Sequence, residues 1–305
     1  MSSELTKRVA VGVIGAPIAI AIVLYGDWAL AALVAVASAL AAWELFRIAE
    51  HAGLMPMDQV GIAIAGLIPL VVDAAHLGIY PPDAKFGPLS IAILVMLVLL
   101  AAAIWTRGVQ GKPLGAVAVT VFGAAYTGGT LSYALSIRYH EYAFAPAALG
   151  LGQRSLTLPS GGLLLLLPLL LTWASDIGAY AVGRTLGKHK LIPSVSPGKT
   201  IEGSIGGLLA SMLVAWLYMR YVLHPASHLD FRWAPVGVLA FGALVSVAAQ
   251  VGDLVESLLK REAGVKDSSH IIPGHGGVLD RLDSLLFVLP VAFVLLTPML
   301  TWAPT

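Results

Sequence analysis

Cysteine is missing from this chain altogether, and charged side chains are scarce, with Asp, Glu, Lys and Arg making up 11% of 305 residues. The first absence excludes disulfides, thiol nucleophiles and cysteine-ligated zinc. The second excludes an ordinary soluble domain, in which about a quarter of residues are charged. The net charge of +1 by itself excludes nothing, and no nucleic-acid partner is expected. Low-complexity tails and internal repeats are absent too, as are the paired broken helices of an inverted-repeat transporter.

What is present is apolar: 58% of residues are hydrophobic. Runs long enough to cross a hydrocarbon core, about 20 residues, fall at 9–25, 28–46, 59–79, 88–105, 114–136, 161–183, 201–223, 235–258 and 284–303. They predict an all-α, polytopic integral membrane protein of about nine transmembrane helices. Lys7 and Arg8 precede the first run as in a signal peptide, but no small-x-small site follows it, so an uncleaved anchor is expected. Basic residues collect on the cytoplasmic side of membranes. With a cytoplasmic N-terminus, 13 of the 18 Lys and Arg face inwards and five, Lys85, Arg138, Arg154, Arg220 and Arg232, face outwards. The densest polar loops, 184–200 and 259–283, then share the cytoplasmic face.

The chain reads as two regions. Residues 1–136 form an N-terminal transmembrane scaffold, in which Asp27, Glu44 and Asp73 are expected at span ends near the interface. Residues 137–305 form a C-terminal transmembrane catalytic region. Its outer loop, 137–160, carries Tyr139, Tyr142 and Phe144 as an interfacial belt.

Three polar groupings stand in that second region. Asp176, with Ser175, Gly178, Tyr180 and Gly183, lies at the inner end of a span, where an ionised carboxylate needs a partner. It is either a site residue or an interfacial aspartate satisfied by water or Arg184. The stretch 194–203, SVSPGKTIEG, puts Ser196, Lys199 and Thr200 at a turn before a helix start, a setting that favours anions; a plain basic turn is the alternative. It is no P-loop, since GxxxxGK[ST] needs glycine where Pro193 stands and no β-strand is read before it.

The third grouping is 257–283, SLLKREAGVKDSSHIIPGHGGVLDRLD. If the eighth span runs on as a helix, Asp253, Glu256, Ser257 and Lys260 fall at i, i+3, i+4 and i+7 on one face. Asp280 and Asp283 stand three apart beyond a Pro-Gly-His-Gly-Gly turn. Carboxylates from two helices suit Mg²⁺, which usually binds nucleotide phosphate at the same time. Lys260, Arg261, Lys266 and Arg281 would hold the remaining phosphate oxygens. Asp283 or Ser284 is alternatively a helix cap, and Lys260 with Arg261 a positive-inside anchor.

The same stretch resembles the signature of the phosphatidate cytidylyltransferase (CDP-diacylglycerol synthase) family, S-x-x-K-R-x4-K-D-x-[small]-x2-[apolar]-P-x-H-G-G-x-x-D-R-x-D. Ser257, Lys260, Arg261, Lys266, Asp267, Ser269, Ile272, Pro273, His275, Gly276, Gly277, Asp280, Arg281 and Asp283 fill it. Upstream, Asp176, Gly178, Ala179, Tyr180, Gly183, Arg184, Gly187, Lys188, Ser196, Pro197, Lys199, Thr200, Glu202 and Gly203 agree, while Gly198 replaces a lysine that many members carry.

The resemblance implies transfer of a cytidylyl group from CTP to phosphatidic acid for phospholipid biosynthesis. It makes Lys260, Arg261, Lys266, Asp280, Arg281 and Asp283 catalytic, and Asp253 and Asp280 ligands of Mg²⁺, with Asp176 and Asp283 either as additional ligands or as residues that support the ligands. Asp176, Ser196, Lys199, Thr200, Ser257, His275, Gly276 and Gly277 become substrate-binding residues. A second cation such as K⁺, a homodimer, and a cytoplasm-facing site in a cell membrane (the inner membrane in a bacterium) are further implications. The rival classes are a secondary transporter or channel using Asp176 and Asp253, and a transferase joining a nucleotide-activated lipid to an alcohol, whose DG-x2-AR…G-x3-D-x3-D pattern is not matched. An isoprenoid-based phosphatidate is a further substrate left open.

Overall fold

The computed structural model describes residues 15–79, 87–140, 158–227, 229–272 and 276–302. Among the sequence-predicted features, Lys7, Arg8, Lys85, Tyr142, Phe144, Arg154, Pro273, Gly274 and His275 lie outside the described residues.

Among the described residues eight helices are long and apolar enough to cross a membrane, and a shorter apolar helix, α1 (Gly15–Tyr25), occupies the described part of the first predicted span. The long ones begin with α2 (Asp27–His51), α3 (Asp58–His76) and α4 (Pro88–Thr106). The next span joins α5 (Pro113–Ala124) to α6 (Tyr133–Tyr139) through a π-turn at Ala125–Gly129. Then come α7 (Leu158–Leu186), α8 (Ile201–Tyr218), a second π-turn at Met219–Leu223 leading into the short α9 (His224–Ser227), α10 (Val236–Glu262) and α11 (Leu279–Met299). This is the expected all-α polytopic architecture. Its strands are short: β1 (Lys190–Ile192) pairs antiparallel with β2 (Ser196–Thr200), and β3 (Leu229–Phe231) with β4 (Leu300–Trp302). A strand does therefore precede the SVSPGKT stretch, which corrects the sequence reading; the hairpin forms because Pro193 and Ser194 supply a tight turn. With Pro193 in place, the exclusion of a P-loop is unaffected.

Contacts divide the described residues into two compact units. One consists of Ala31–Ser132 with Leu259–Leu282, the other of those in Val9–Leu30, Tyr133–Leu258 and Asp283–Thr305. In the first, Phe46 of α2 packs with Ala42, Ala65 and Ala124. It fits because Gly61 and Gly123 present no side chain: a Cβ on Gly61 would lie 2.5 Å from the Phe46 ring. Thr120 Oγ1 accepts the Met57 N–H at 2.8 Å, satisfying a donor at the start of α3.

In the second unit α7 and α8 approach closely through small residues. A Cβ on Gly178 would lie 2.6 Å from Ala210 Cβ, and one on Gly206 2.5 Å from Val182. In lipid no hydrophobic drive separates helix from acyl chain, so close packing and interhelical hydrogen bonds hold such a pair. Ser175 Oγ meets Ser246 Oγ at 2.7 Å, Gln250 Nε2 donates to Ser204 O at 3.1 Å, and Ser211 Oγ donates to Gly242 O at 2.9 Å. Buried Arg138 donates to Leu24 O at 3.0 Å, and the Tyr139 hydroxyl accepts the Asp27 N–H at 2.5 Å.

Candidate active site

The signature stretch begins at the end of α10, which continues through Glu262 as its spacing predicts. The helix stops in a Schellman turn: Gly264 adopts φ +69°, its N–H bonds Arg261 O at 3.1 Å, and the Val265 N–H bonds Lys260 O at 2.9 Å. Lys260 and Arg261 thus sit in the last turn, where free carbonyls favour cations. Across the loop Lys260 Nζ reaches Asp280 Oδ1 at 2.7 Å, the two side chains being 13% and 6% exposed. Asp280 Oδ2 accepts the Gly277 N–H at 2.8 Å and the Ser268 N–H at 3.1 Å, and lies 3.0 Å from Ser268 Oγ.

The glycines have definite tasks here. Gly276 has φ +80°, and a Cβ on it would meet Asp280 Oδ2 at 2.6 Å. A Cβ on Gly277 would strike Ser268 Oγ and Glu44 Oε2.

Glu44 departs from expectation. Instead of lying at the interface it is fully buried, at 0% exposure. Oε1 accepts Ser269 Oγ at 2.6 Å and the Val278 N–H at 2.9 Å; Oε2 accepts Ser268 Oγ at 2.8 Å and the Leu279 N–H at 2.6 Å. Four donors offset the cost of burying a carboxylate. They also explain why α11 begins at Leu279 and not near 284. With N–H groups at its start satisfied by Glu44, the helix includes Asp280 and Asp283 in its first turns. Asp283 is accordingly no N-cap; its Oδ1 accepts the Ser284 N–H at 2.6 Å.

A cavity of ≈ 450 Å³ opens against this loop, lined among others by Trp43, Arg47, His51, Asp267, Ser269 and His270. The Arg47 guanidinium lies 5.3 Å from the Trp43 ring centroid, a cation–π distance. Lys266, Arg281 and Arg261 are exposed, the last donating to Val265 O at 3.3 Å.

In the second unit Lys199 of β2 pairs with Asp253 of α10 at 2.8 Å, the side chains 25% and 35% exposed. Ser257 Oγ is 3.5 Å from Asp253 Oδ1. Thr200 is buried and caps α8, its Oγ1 accepting the Gly203 N–H at 3.1 Å. Glu202 ties the hairpin to the same helix start, accepting His189 Nδ1 at 2.6 Å and the Lys188 N–H at 3.1 Å. Ser196 is half-buried and Asp176 exposed on α7, where Arg184 donates to Tyr180 Oη at 2.6 Å. Gly252 lets the chain at Asp283 and Ser284 come close, since a Cβ there would lie 2.6 Å from Asp283 O.

Among the described residues no group of three or more His, Asp or Glu could hold a metal ion. Mg²⁺ needs only one or two carboxylates beside phosphate and water. Asp253 fits that role: it is accessible and held by one lysine. Asp280 fits less directly, since its oxygens face Lys260, Ser268 and Gly277 donors.

The family model of the Cytidylyltransferase family matches residues 6–299. The phosphatidate cytidylyltransferase of Synechocystis sp. is 33% identical, the alignment covering 97% of this chain and 98% of that one. That of Staphylococcus saprophyticus is 38% identical over 68% of this chain and 77% of its own. That of Staphylococcus aureus is 49% identical over 42% and 46%. The chain belongs to the cytidylyltransferase family, as a multi-pass membrane enzyme.

Proposed function

We propose that this protein transfers the cytidylyl group of CTP to phosphatidic acid, giving CDP-diacylglycerol and pyrophosphate. The observation that carries this reading is the Lys260–Asp280 pair inside a filled family signature. A phosphate oxygen of the lipid forms a bond to the α-phosphorus of CTP, and the bond from that phosphorus to the bridging α–β oxygen breaks. That lipid oxygen is already anionic and needs no strong base. The task left to the protein is alignment and charge neutralisation.

In this reading Lys260, Arg261, Lys266 and Arg281 hold phosphate oxygens, and Ser196, Lys199 and Thr200 are substrate-binding residues. Ser257, His275, Gly276 and Gly277 contact substrate, and Asp176 and Asp283 support the cation site. Asp253 and Asp280 are each proposed as Mg²⁺ ligands, and each carboxylate is held by a lysine. Bound Mg²⁺ would neutralise triphosphate charge. A K⁺ ion, a homodimer and a cytoplasm-facing site belong to the same proposal; the 13-to-5 distribution of basic residues supports the orientation.

Pyrophosphate release by detergent-purified protein tests the reading. Release is expected only with CTP, phosphatidic acid and Mg²⁺ together and is abolished by EDTA; release without the lipid would overturn it.

A further inference from the structure

Glu44 belongs to an apolar helix of the N-terminal region, yet both its oxygens are spent on the signature stretch. Its four donors flank the turn, Ser268 and Ser269 before it and Val278 and Leu279 after it, so one carboxylate clamps the two ends of the loop. Asp280 depends on the same loop: Oδ2 accepts from Ser268 and from Gly277, and Ser268 Oγ lies 2.8 Å from Glu44 and 3.0 Å from Asp280. A hydroxyl has one proton, so the two carboxylates compete for it, and the position of either affects the other. Asp280 in turn fixes Lys260 Nζ.

We infer that Glu44 is a positioning residue for the cytidylyl transfer, acting through Ser268 and the start of α11 to hold Asp280 and Lys260 in register. The inference rests on the transferase reading above. Apolar packing would be a cheaper way to fill a buried site. A carboxylate is required because four N–H and O–H donors converge on it. Glutamine cannot replace it: whichever way its amide is turned, the NH₂ faces a backbone N–H, of Val278 or Leu279, that cannot reverse.

The test compares wild type, Glu44→Gln, Glu44→Asp, Ser268→Ala and the Glu44→Gln/Ser268→Ala double variant, with Glu50→Gln on the exposed end of α2 as control. Per folded protein, Glu44→Gln should lower kcat roughly 10- to 100-fold with KM for CTP changed far less. Glu44→Asp should recover part of the loss, and Glu50→Gln should match wild type. The double variant should be little worse than Glu44→Gln alone, the non-additivity of residues acting through one contact. If Glu44→Gln does not fold, Ser268→Ala must still lower kcat. Wild-type kcat in folded Glu44→Gln, or strictly additive losses, would overturn the inference alone. Inactive, folded wild type would overturn the transferase reading as well.

Discussion

Lys260 Nζ stands 2.7 Å from Asp280 Oδ1, twenty residues further along the chain, and both side chains are largely shielded from solvent. The pair joins the family signature's first charge to the first acid after its Gly-Gly step. A shielded pair of this kind loses much when one partner is neutralised, because the other charge is left uncompensated. Asp280→Asn keeps the shape and removes the charge. Turnover should fall by at least about 100-fold while the protein still elutes as folded in detergent. Wild-type turnover in that variant would remove Asp280 from the site.

The Lys199–Asp253 pair is more open, at 25% and 35% exposure. Solvent screening holds its contribution to stability to about 1 kcal/mol or less. Lys199→Ala should therefore leave the melting temperature nearly unchanged while raising KM for CTP several-fold. A large loss of thermal stability with unchanged kinetics would make Lys199 a structural residue.

Gly277→Ala should be far more damaging than its size suggests. The added methyl group strikes Ser268 Oγ and Glu44 Oε2, both held by other hydrogen bonds. Overpacking of this kind costs about 1–3 kcal/mol. Activity should drop with it, whereas Gly198→Ala, with open space around its Cβ, should be tolerated. Equal activities in the two variants would contradict the loop geometry.

Gly206→Leu tests the α7–α8 contact. The side chain would enter Val182 and the α7 backbone at Gly178, forcing apart helices that associate by close packing. Reduced thermal stability in detergent is the expected result; an unchanged melting temperature would mean that the helices do not rely on this contact.

Spacing and hydropathy carried most of the architecture, because a span of apolar residues in lipid has few alternatives to a helix. The continuation of α10 through Lys260 and the roles proposed for residues 257–283 were legible as a local pattern. Glu44 was not: its partners lie 224 to 235 residues away, and one acid near the end of the apolar run 28–46 resembles an interfacial one. The signal that pointed to it was its rarity within a span, which for an intramembrane ionisable group suggests function. The start of α11 was misplaced for the same reason, since its cap comes from another helix. The β1–β2 hairpin escaped notice because strands of three and five residues leave little periodicity to read.

The most direct measurement follows the α-phosphate of CTP. Purified protein given α-labelled CTP, phosphatidic acid and Mg²⁺ should place the label in a chloroform-extractable CDP-diacylglycerol, with one pyrophosphate released per lipid labelled. Folded protein that releases pyrophosphate while all label stays in the aqueous phase, or that does neither, would contradict the account.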